Sequence, residues 1–228
     1  MSGPRLIRFV DDRVPAEVLA EAAGILRAGG IVAHPTETVY GLAADPWEPR
    51  AVARILSLKG RGEKEGLILI AAAVEEAEGL LAAGLPPEFG ALARAFWPGP
   101  LTLVAPAGPG APTTVVSAGG GLAVRVTSGE TARRLIKAAG HPLTSTSANR
   151  GGELPARSGE EVARIFPEGV DLILDGGSTP GSLPSTVVDL TCRPLRILRE
   201  GAVERHRIEQ VIGGSWRPGG GPGFRGIE

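Results

Sequence analysis

Apolar residues in this chain follow two alternating patterns, one with helical spacing and one of short unbroken runs. Residues 15–28 place apolar side chains three and four positions apart, after a proline and before two glycines, and so predict an amphipathic helix. Further helices are predicted near 48–62, 74–82, 86–96, 129–139, 158–166 and 203–212. Apolar runs predict strands at 31–34, 66–72, 101–105, 121–127, 170–177, 185–190 and 195–200.

The alternation of strands and helices predicts an α/β fold. Several apolar strands follow one another near the C-terminus, which indicates that part of the sheet is antiparallel or mixed. We therefore expect a twisted open mixed sheet flanked by helices. Residues 1–212 are predicted to form one domain, and the Gly/Pro-rich residues 213–228 a mobile tail with too little apolar content to pack.

Composition narrows the class of protein. The 228 residues are 43% hydrophobic and 21% charged, as in a soluble globular protein, and no run is long enough for a signal peptide or a membrane span. We expect a cytoplasmic protein.

The net charge is 24 − 25 = −1, which excludes the strongly basic balance of a dedicated nucleic-acid binder but is compatible with a local basic patch. One cysteine excludes internal disulfides, and three distant histidines make a structural zinc site unexpected, so any metal should arrive with a ligand.

Two stretches rich in hydroxyl side chains follow predicted strands. In the first, residues 34–45, Thr36 and Thr38 come directly after a strand that ends at a proline. Ligands of α/β proteins bind beyond the carboxyl ends of strands, although these threonines could equally cap the next helix. In the second, residues 141–158, Ser145 and Ser147 would share one face of an extended segment, with Asn149 next in the series.

Cations accompany these hydroxyls. Lys59 and Arg61 lie at the end of a predicted helix, where they either satisfy its last carbonyls or clamp a phosphate. Arg125 interrupts an apolar strand, so it must pair internally or meet an anionic ligand. Walker, Rossmann and nucleophile-elbow motifs are absent from the sequence. The polar side chains that remain as candidates are hydroxyls, one amide and several cations. This combination suits the binding of a polyanion.

Six motifs occur in an order that resembles the L-threonylcarbamoyladenylate synthases, the YrdC-type family. They are PTETVYGL (35–42), K-x-R (59–61), WPGPLTLV (97–104), LAVRVT (122–127), S-x-S-x-N (145–149) and STVVDL (185–190). The resemblance covers residues 16–203 and implies a large concave groove. It also implies a nucleotidyltransferase that joins L-threonine, bicarbonate and ATP, with Mg²⁺ on the nucleotide, into threonylcarbamoyl-AMP and pyrophosphate. The product would pass to a threonylcarbamoyl transferase complex that modifies position 37 of tRNAs reading ANN codons.

The resemblance also implies roles for individual residues. Lys59 and Arg61 would be catalytic and would bind ATP together with Ser147, Asn149 and Arg199. The threonine or its carbamate would be surrounded by Thr38, Arg125, Ser145 and Ser185.

The chain departs from a common family pattern in RGEKEGLILIA (61–71), where Gly62, Glu65 and Ile70 replace a proline, an asparagine and a histidine. We interpret this as variation within the short, single-domain branch. Two alternatives remain open: a non-catalytic double-stranded RNA or tRNA-binding factor, and a carbamoyl-transfer domain like that of hydrogenase maturation proteins.

Overall fold

The computed structural model describes residues 3–60, 67–213 and 216–218. Helices and strands alternate along these residues, as the apolar pattern predicts. The helices are α1 (Ala16–Arg27), α2 (Pro49–Lys59), α3 (Val74–Glu78), α4 (Pro87–Phe96), α5 (Glu130–Ala139), α6 (Gly159–Ile165) and α7 (Arg205–Ile212). The strands are β1 (Arg5–Arg8), β2 (Val32–His34), β3 (Gly41–Ala43), β4 (Ile68–Ala71), β5 (Leu101–Pro106), β6 (Gly121–Val126), β7 (Leu143–Thr144), β8 (Thr146–Ser147), β9 (Leu172–Asp175), β10 (Thr186–Asp189), β11 (Leu195–Arg199) and β12 (Trp216–Pro218).

The described strands form two mixed sheets where the sequence predicts one. The first has five strands in the order β1-β9-β2-β3-β8, and the second has seven in the order β12-β11-β10-β5-β6-β4-β7. Parallel pairs such as β10 with β5 lie beside antiparallel pairs such as β5 with β6. The predicted α/β class with mixed pairing is therefore confirmed.

One extended segment joins the two sheets. Its first half, β7, pairs with β4 of the seven-stranded sheet, and its second half, β8, pairs with β3 of the five-stranded sheet. Ser145 lies between the two halves, and its backbone N–H donates to the Ile68 carbonyl at 2.9 Å. The junction of the sheets therefore runs through the second hydroxyl-rich stretch.

The pleat of β6 separates its core-facing side chains from those that face the junction. Leu122 and Val124 belong to the largest cluster of buried apolar side chains, which also contains residues of α2 and α4. Successive side chains of a strand point to opposite faces, so Ala123 and Arg125 lie on the other side, where Ala123 packs with Ile68. This places Arg125 on an inner face of the sheet instead of in the apolar core.

Helices α1 and α5 cover another face of the molecule. Leu19 and Leu26 of α1 and Leu135 of α5 share a buried cluster with Val32 and Leu172 of the five-stranded sheet. None of the described helices is long and apolar enough to cross a membrane.

Strands β1, β3, β7 and β8 have no counterpart among the predicted strands, and two further regions also differ from the sequence-based prediction. Helix α3 ends at Glu78 instead of near residue 82. Within the predicted tail, residues 216–218 form β12 and pair in parallel with β11. Residues 214–215 and 219–228 lie outside the described residues, so the domain boundary at 212 and the mobility of the tail stay predictions.

Candidate active site

The first hydroxyl-rich stretch forms a turn between β2 and β3 that is organised by Thr36. The Thr36 hydroxyl donates to the Val39 carbonyl at 2.7 Å and accepts the Thr38 N–H at 3.1 Å. A carbonyl oxygen only accepts, so the Thr36 proton is committed to Val39. The Thr38 hydroxyl, whose oxygen lies 2.8 Å from Thr36 Oγ1, must then donate to Thr36. Thr36 therefore shapes this turn instead of capping a helix, and Thr38 keeps its lone pairs for other partners.

The hydroxyl of Ser147, in the second stretch, also donates its hydrogen bond to a group of the protein, as that of Thr38 does. This hydroxyl donates to Asn149 Oδ1 at 2.6 Å. The Asn149 amide nitrogen donates to the Arg150 and Glu153 carbonyls at 2.9 and 2.8 Å, which identifies Oδ1 as the acceptor. Ser147 can therefore offer lone pairs, but no proton, to a further partner.

The two stretches line one cavity at the junction of the sheets. One wall comes from the turn after β2, another from residues 145–147, and a third from residues 184–185 ahead of β10. Six predicted site residues line this cavity: Thr38, Arg125, Ser145, Ser147, Ser185 and Arg199. Its other lining residues are Thr36, Val39, Tyr40, Gly41, Ile68 and Pro184.

Arg125 supplies a buried positive charge to the cavity. It is 4% exposed, and its Nη1 donates to Thr38 Oγ1 at 3.2 Å. Glu37 Oε1 lies 3.9 Å from the same nitrogen, while Glu37 Oε2 accepts from the Thr127 hydroxyl at 2.5 Å. Burial acts to raise the pKa of the Glu37 carboxyl, but Arg125 and Thr127 hold it below its ordinary value. The pair therefore stays ionised, and Thr38 is oriented by contacts on both sides.

Arg199 supplies a second cation at the opposite wall. Its Nε donates to the Ser185 carbonyl at 3.0 Å, and its Nη2 donates to Ser185 Oγ at 3.1 Å. Ser185 Oγ also lies 2.8 Å from the Thr102 hydroxyl on β5. These contacts hold the loop before β10 against β11, and they bring a guanidinium to the cavity.

Lys59 lies with Asn149 behind the wall formed by residues 145–147, and neither residue lines the cavity. The Lys59 side chain is 1% exposed, and Nζ contacts the Ser147 carbonyl at 2.6 Å, the Asn149 carbonyl at 2.9 Å and Asn149 Oδ1 at 3.1 Å. The sequence-based alternatives for Lys59 were a solvated helix end and a phosphate clamp. In the structure the buried ammonium ties the end of α2 to residues 147–149. Arg61 lies outside the described residues. The ATP-binding roles of Lys59 and Arg61 stay predictions.

Sequence reasoning left two neighbours of the cavity without a role. His34 ends β2 fully buried, with Nε2 3.4 Å from Ser145 Oγ. Glu37 stands beside Arg125. The sequence does contain one indication for His34: it lies seven positions before Gly41, on the other side of the threonine turn, and the two residues pair in a hairpin. Tyr40 is fully buried, and its hydroxyl donates to the Gly177 carbonyl at 2.8 Å.

The lining residues combine two guanidinium groups with several hydroxyls, and they include no carboxylate. The hydroxyls of Thr36, Thr38 and Ser147 direct their protons to neighbouring protein groups. Such a cavity suits a ligand that carries an anionic group and N–H donors. Among the described residues, no group of three or more His, Cys, Asp or Glu side chains is arranged to hold a metal ion.

Comparison with known proteins shows which family the chain belongs to. The Sua5/YciO/YrdC family model, described as telomere recombination, matches residues 24–201, which include every residue that lines the cavity. The chain belongs to this family. Its relatives named threonylcarbamoyl-AMP synthase include proteins of Halorhodospira halophila, 49% identical over 155 residues, and Pyrococcus abyssi, 41% identical over 208 residues. The first alignment covers 68% of the chain and 81% of the relative, and the second covers 91% and 61%.

A solved structure supports the same placement. The crystal structure of P. abyssi Sua5 complexed with L-threonine matches with a TM-score of 0.87 at 39% identity. The match covers 94% of the chain and 62% of that protein, so the chain spans less than two thirds of the P. abyssi relative. The family and the fold predicted from the six motifs are confirmed.

Proposed function

We propose that this chain makes L-threonylcarbamoyl-AMP from L-threonine, bicarbonate and ATP, and releases pyrophosphate. One observation carries the proposal: Thr38, Ser145 and Ser147 meet Arg125 and Arg199 in one cavity. The relatives named threonylcarbamoyl-AMP synthase and the P. abyssi Sua5 complex with L-threonine support this choice of reaction.

L-Threonine fits the polarity of the cavity. Its carboxylate would accept from the buried Arg125 guanidinium, because a guanidinium matches a carboxylate in charge and geometry. Its amino group would donate to a lone pair of the Thr38 hydroxyl, whose proton is already directed to Thr36. Ser185, held by Arg199, would close the other side of this amino-acid site.

The proposed chemistry needs positioning and charge neutralisation, and it needs no enzyme nucleophile. The amine of threonine and bicarbonate form a carbamate with loss of water. A carbamate oxygen then bonds to the α-phosphorus of ATP as the bond to pyrophosphate breaks. Both reactants are anions, so cations must offset their repulsion. Arg199 and Mg²⁺ carried by the triphosphate would do so, and the Ser147–Asn149–Lys59 cluster would orient the nucleotide.

In the cell, the product would serve N6-threonylcarbamoyladenosine formation at position 37 of tRNA, by transfer to a separate threonylcarbamoyl transferase complex in the cytoplasm. Direct tRNA contact is not required for the proposed step, because the adenylate is a small molecule. We prefer this reading to a non-catalytic RNA-binding factor, since no observation on the described residues favours the latter.

Pyrophosphate release measures the proposed reaction directly. The purified chain, with ATP and Mg²⁺, should release pyrophosphate only when both L-threonine and bicarbonate are present. Omission of either substrate is the internal control. Release that is independent of threonine would contradict the proposal, and tight tRNA binding without any pyrophosphate release would favour the RNA-binding alternative.

A further inference from the structure

His34 is a buried imidazole next to the cavity that the proposed reaction does not yet use. It is 0% exposed and ends β2, directly before the threonine turn. Its Nδ1 lies 3.1 Å from the Pro35 carbonyl oxygen, and its Nε2 lies 3.4 Å from the Oγ of Ser145. Ser145 lines the cavity, so the histidine reaches the ligand through one intervening hydroxyl.

The hydrogen-bond partners determine which ring nitrogen carries the proton. The Pro35 carbonyl only accepts, so Nδ1 must be the N–H that donates to it. Burial is the largest cause that lowers the pKa of His34 to about 4, so the neutral ring has a single N–H. Nε2 is therefore an acceptor, and the Ser145 hydroxyl must donate to it.

The hairpin leaves room for this contact at one glycine. Gly41 pairs with His34 across β2 and β3. A Cβ at Gly41 would lie 2.3 Å from Ser145 Oγ and 3.2 Å from His34 Nε2, so any side chain there would displace the serine hydroxyl. The absence of a side chain at Gly41 thus allows the imidazole and the hydroxyl to meet.

We propose that His34 is a positioning residue for the amino-acid site: its Nε2 accepts a hydrogen bond from the Ser145 hydroxyl, so that Ser145 presents a lone pair to the amino group of the substrate. This inference rests on the proposed function. The amino nitrogen is the donor assigned to Ser145 because a protonated amine can only donate, whereas the substrate hydroxyl can donate or accept. Ser145 then matches Thr38, and both hydroxyls select for an N–H donor of the substrate.

A double-mutant cycle on L-threonine affinity tests the inference, with binding measured by calorimetry on the full chain. H34F should raise the dissociation constant about fivefold and S145A about tenfold, the range expected for one neutral hydrogen bond. In the S145A background, H34F should add less than about twofold, because its only route to the ligand is gone. H34Q retains an acceptor oxygen and should stay within about twofold of the wild type.

His141 provides a matched control. Its Nδ1 also lies 2.9 Å from the carbonyl of the proline that follows it, but it does not line the cavity. H141F should leave threonine affinity unchanged. A second probe is 3-hydroxybutyrate, which keeps the carboxylate and hydroxyl but lacks the amine. Its inhibition constant should be the same for H34F and the wild type, since Ser145 would have no amine to meet.

Equal effects of H34F in the two backgrounds would overturn the inference, because they would indicate a packing role that is independent of Ser145. An unchanged affinity of H34F would overturn it as well. Failure of the proposed function is a separate result: the wild-type chain would then release no threonine-dependent pyrophosphate. If the chain does release threonine-dependent pyrophosphate but the effects of H34F and S145A on threonine affinity are additive, only the role of His34 is contradicted.

Discussion

Lys59 gives the sharpest test of how the cavity wall is built. Its buried ammonium contacts three oxygens of residues 147–149 at 2.6, 2.9 and 3.1 Å. K59M keeps much of the side-chain volume but removes the donor, which leaves buried carbonyl groups short of a partner. Hydrogen bonds from a charged donor contribute about 1.5–3 kcal/mol each, and removal of one partner of a buried charged group is costly.

These contacts share one ammonium, and K59M also removes the cost of burying a charge. We therefore expect the free energy of unfolding to fall by about 2–4 kcal/mol rather than by the sum of three bonds. For a chain of this size, each kcal/mol lowers the melting temperature by about 2–4 °C, so K59M should melt about 5–15 °C below the wild type. Calorimetry or circular dichroism would measure the shift.

The chain contains a matched control for this substitution. Lys137 also lies in the last turn of a helix, α5, but its side chain is exposed. K137M should melt within about 2 °C of the wild type, because surface substitutions change stability little. In K59M, the Michaelis constants for ATP and threonine should both rise, since Ser147 loses its support. A K59M protein that melts like the wild type but no longer uses ATP would refute this reasoning. It would indicate that Lys59 binds a phosphate of ATP.

Three further predictions concern the cavity and its surroundings. R125Q should raise the Michaelis constant for threonine about 10- to 100-fold, measured by pyrophosphate release, because it removes a buried charged donor; a change confined to the ATP constant would contradict the assignment. Y40F should lower the free energy of unfolding by about 1–2 kcal/mol in urea titrations, because its hydroxyl lies 3.1 Å from Asp175 Oδ1 and accepts the Gly176 N–H at 3.1 Å; an unchanged midpoint would be evidence against that contact. The pKa of His34 falls from 6.5 to about 4, chiefly through burial and further through Arg125, while the Pro35 carbonyl and Glu37 oppose the shift. Between these values the unfolded chain binds a proton that the folded chain does not, so stability should fall as the pH drops from 6.5 to 4, by about 3 kcal/mol more than in H34F; parallel pH profiles would argue against it.

The sequence predicted the long elements because their apolar spacing reflects how they pack. Helix α1 and strand β6 follow it closely: β6 was identified from its apolar run, and Arg125 was recognised as a charge that needs a partner. Residues 145 and 147 both line the cavity, as expected for two positions on one face of an extended segment.

The number of sheets could not be predicted from the same pattern. Strands β7 and β8 have two residues each, which is too short for any periodicity, and the change of sheet occurs at the single residue between them. Strand β3 is likewise a three-residue element inside a stretch that was interpreted as a ligand loop. Hydrogen bonds between distant segments create these elements, and local propensity does not encode them.

The environment of Lys59 was also beyond sequence reasoning. A lysine in the last turn of a helix is usually solvated, and only the fold brings the carbonyls of residues 147–149 to its ammonium. The same holds for His34, whose role depends on the missing side chain of Gly41 across the hairpin. In both positions, contacts between distant parts of the chain decide what the residue can do.

The most direct test of the central claim is the identity of the nucleotide product. The purified chain would be incubated with ATP, Mg²⁺, L-threonine and ¹³C-labelled bicarbonate, and the products analysed by mass spectrometry. We predict threonylcarbamoyl-AMP that carries one ¹³C atom, formed with pyrophosphate and greatly reduced in R125Q. Formation of AMP or ADP without any labelled, threonine-containing adenylate would contradict the account.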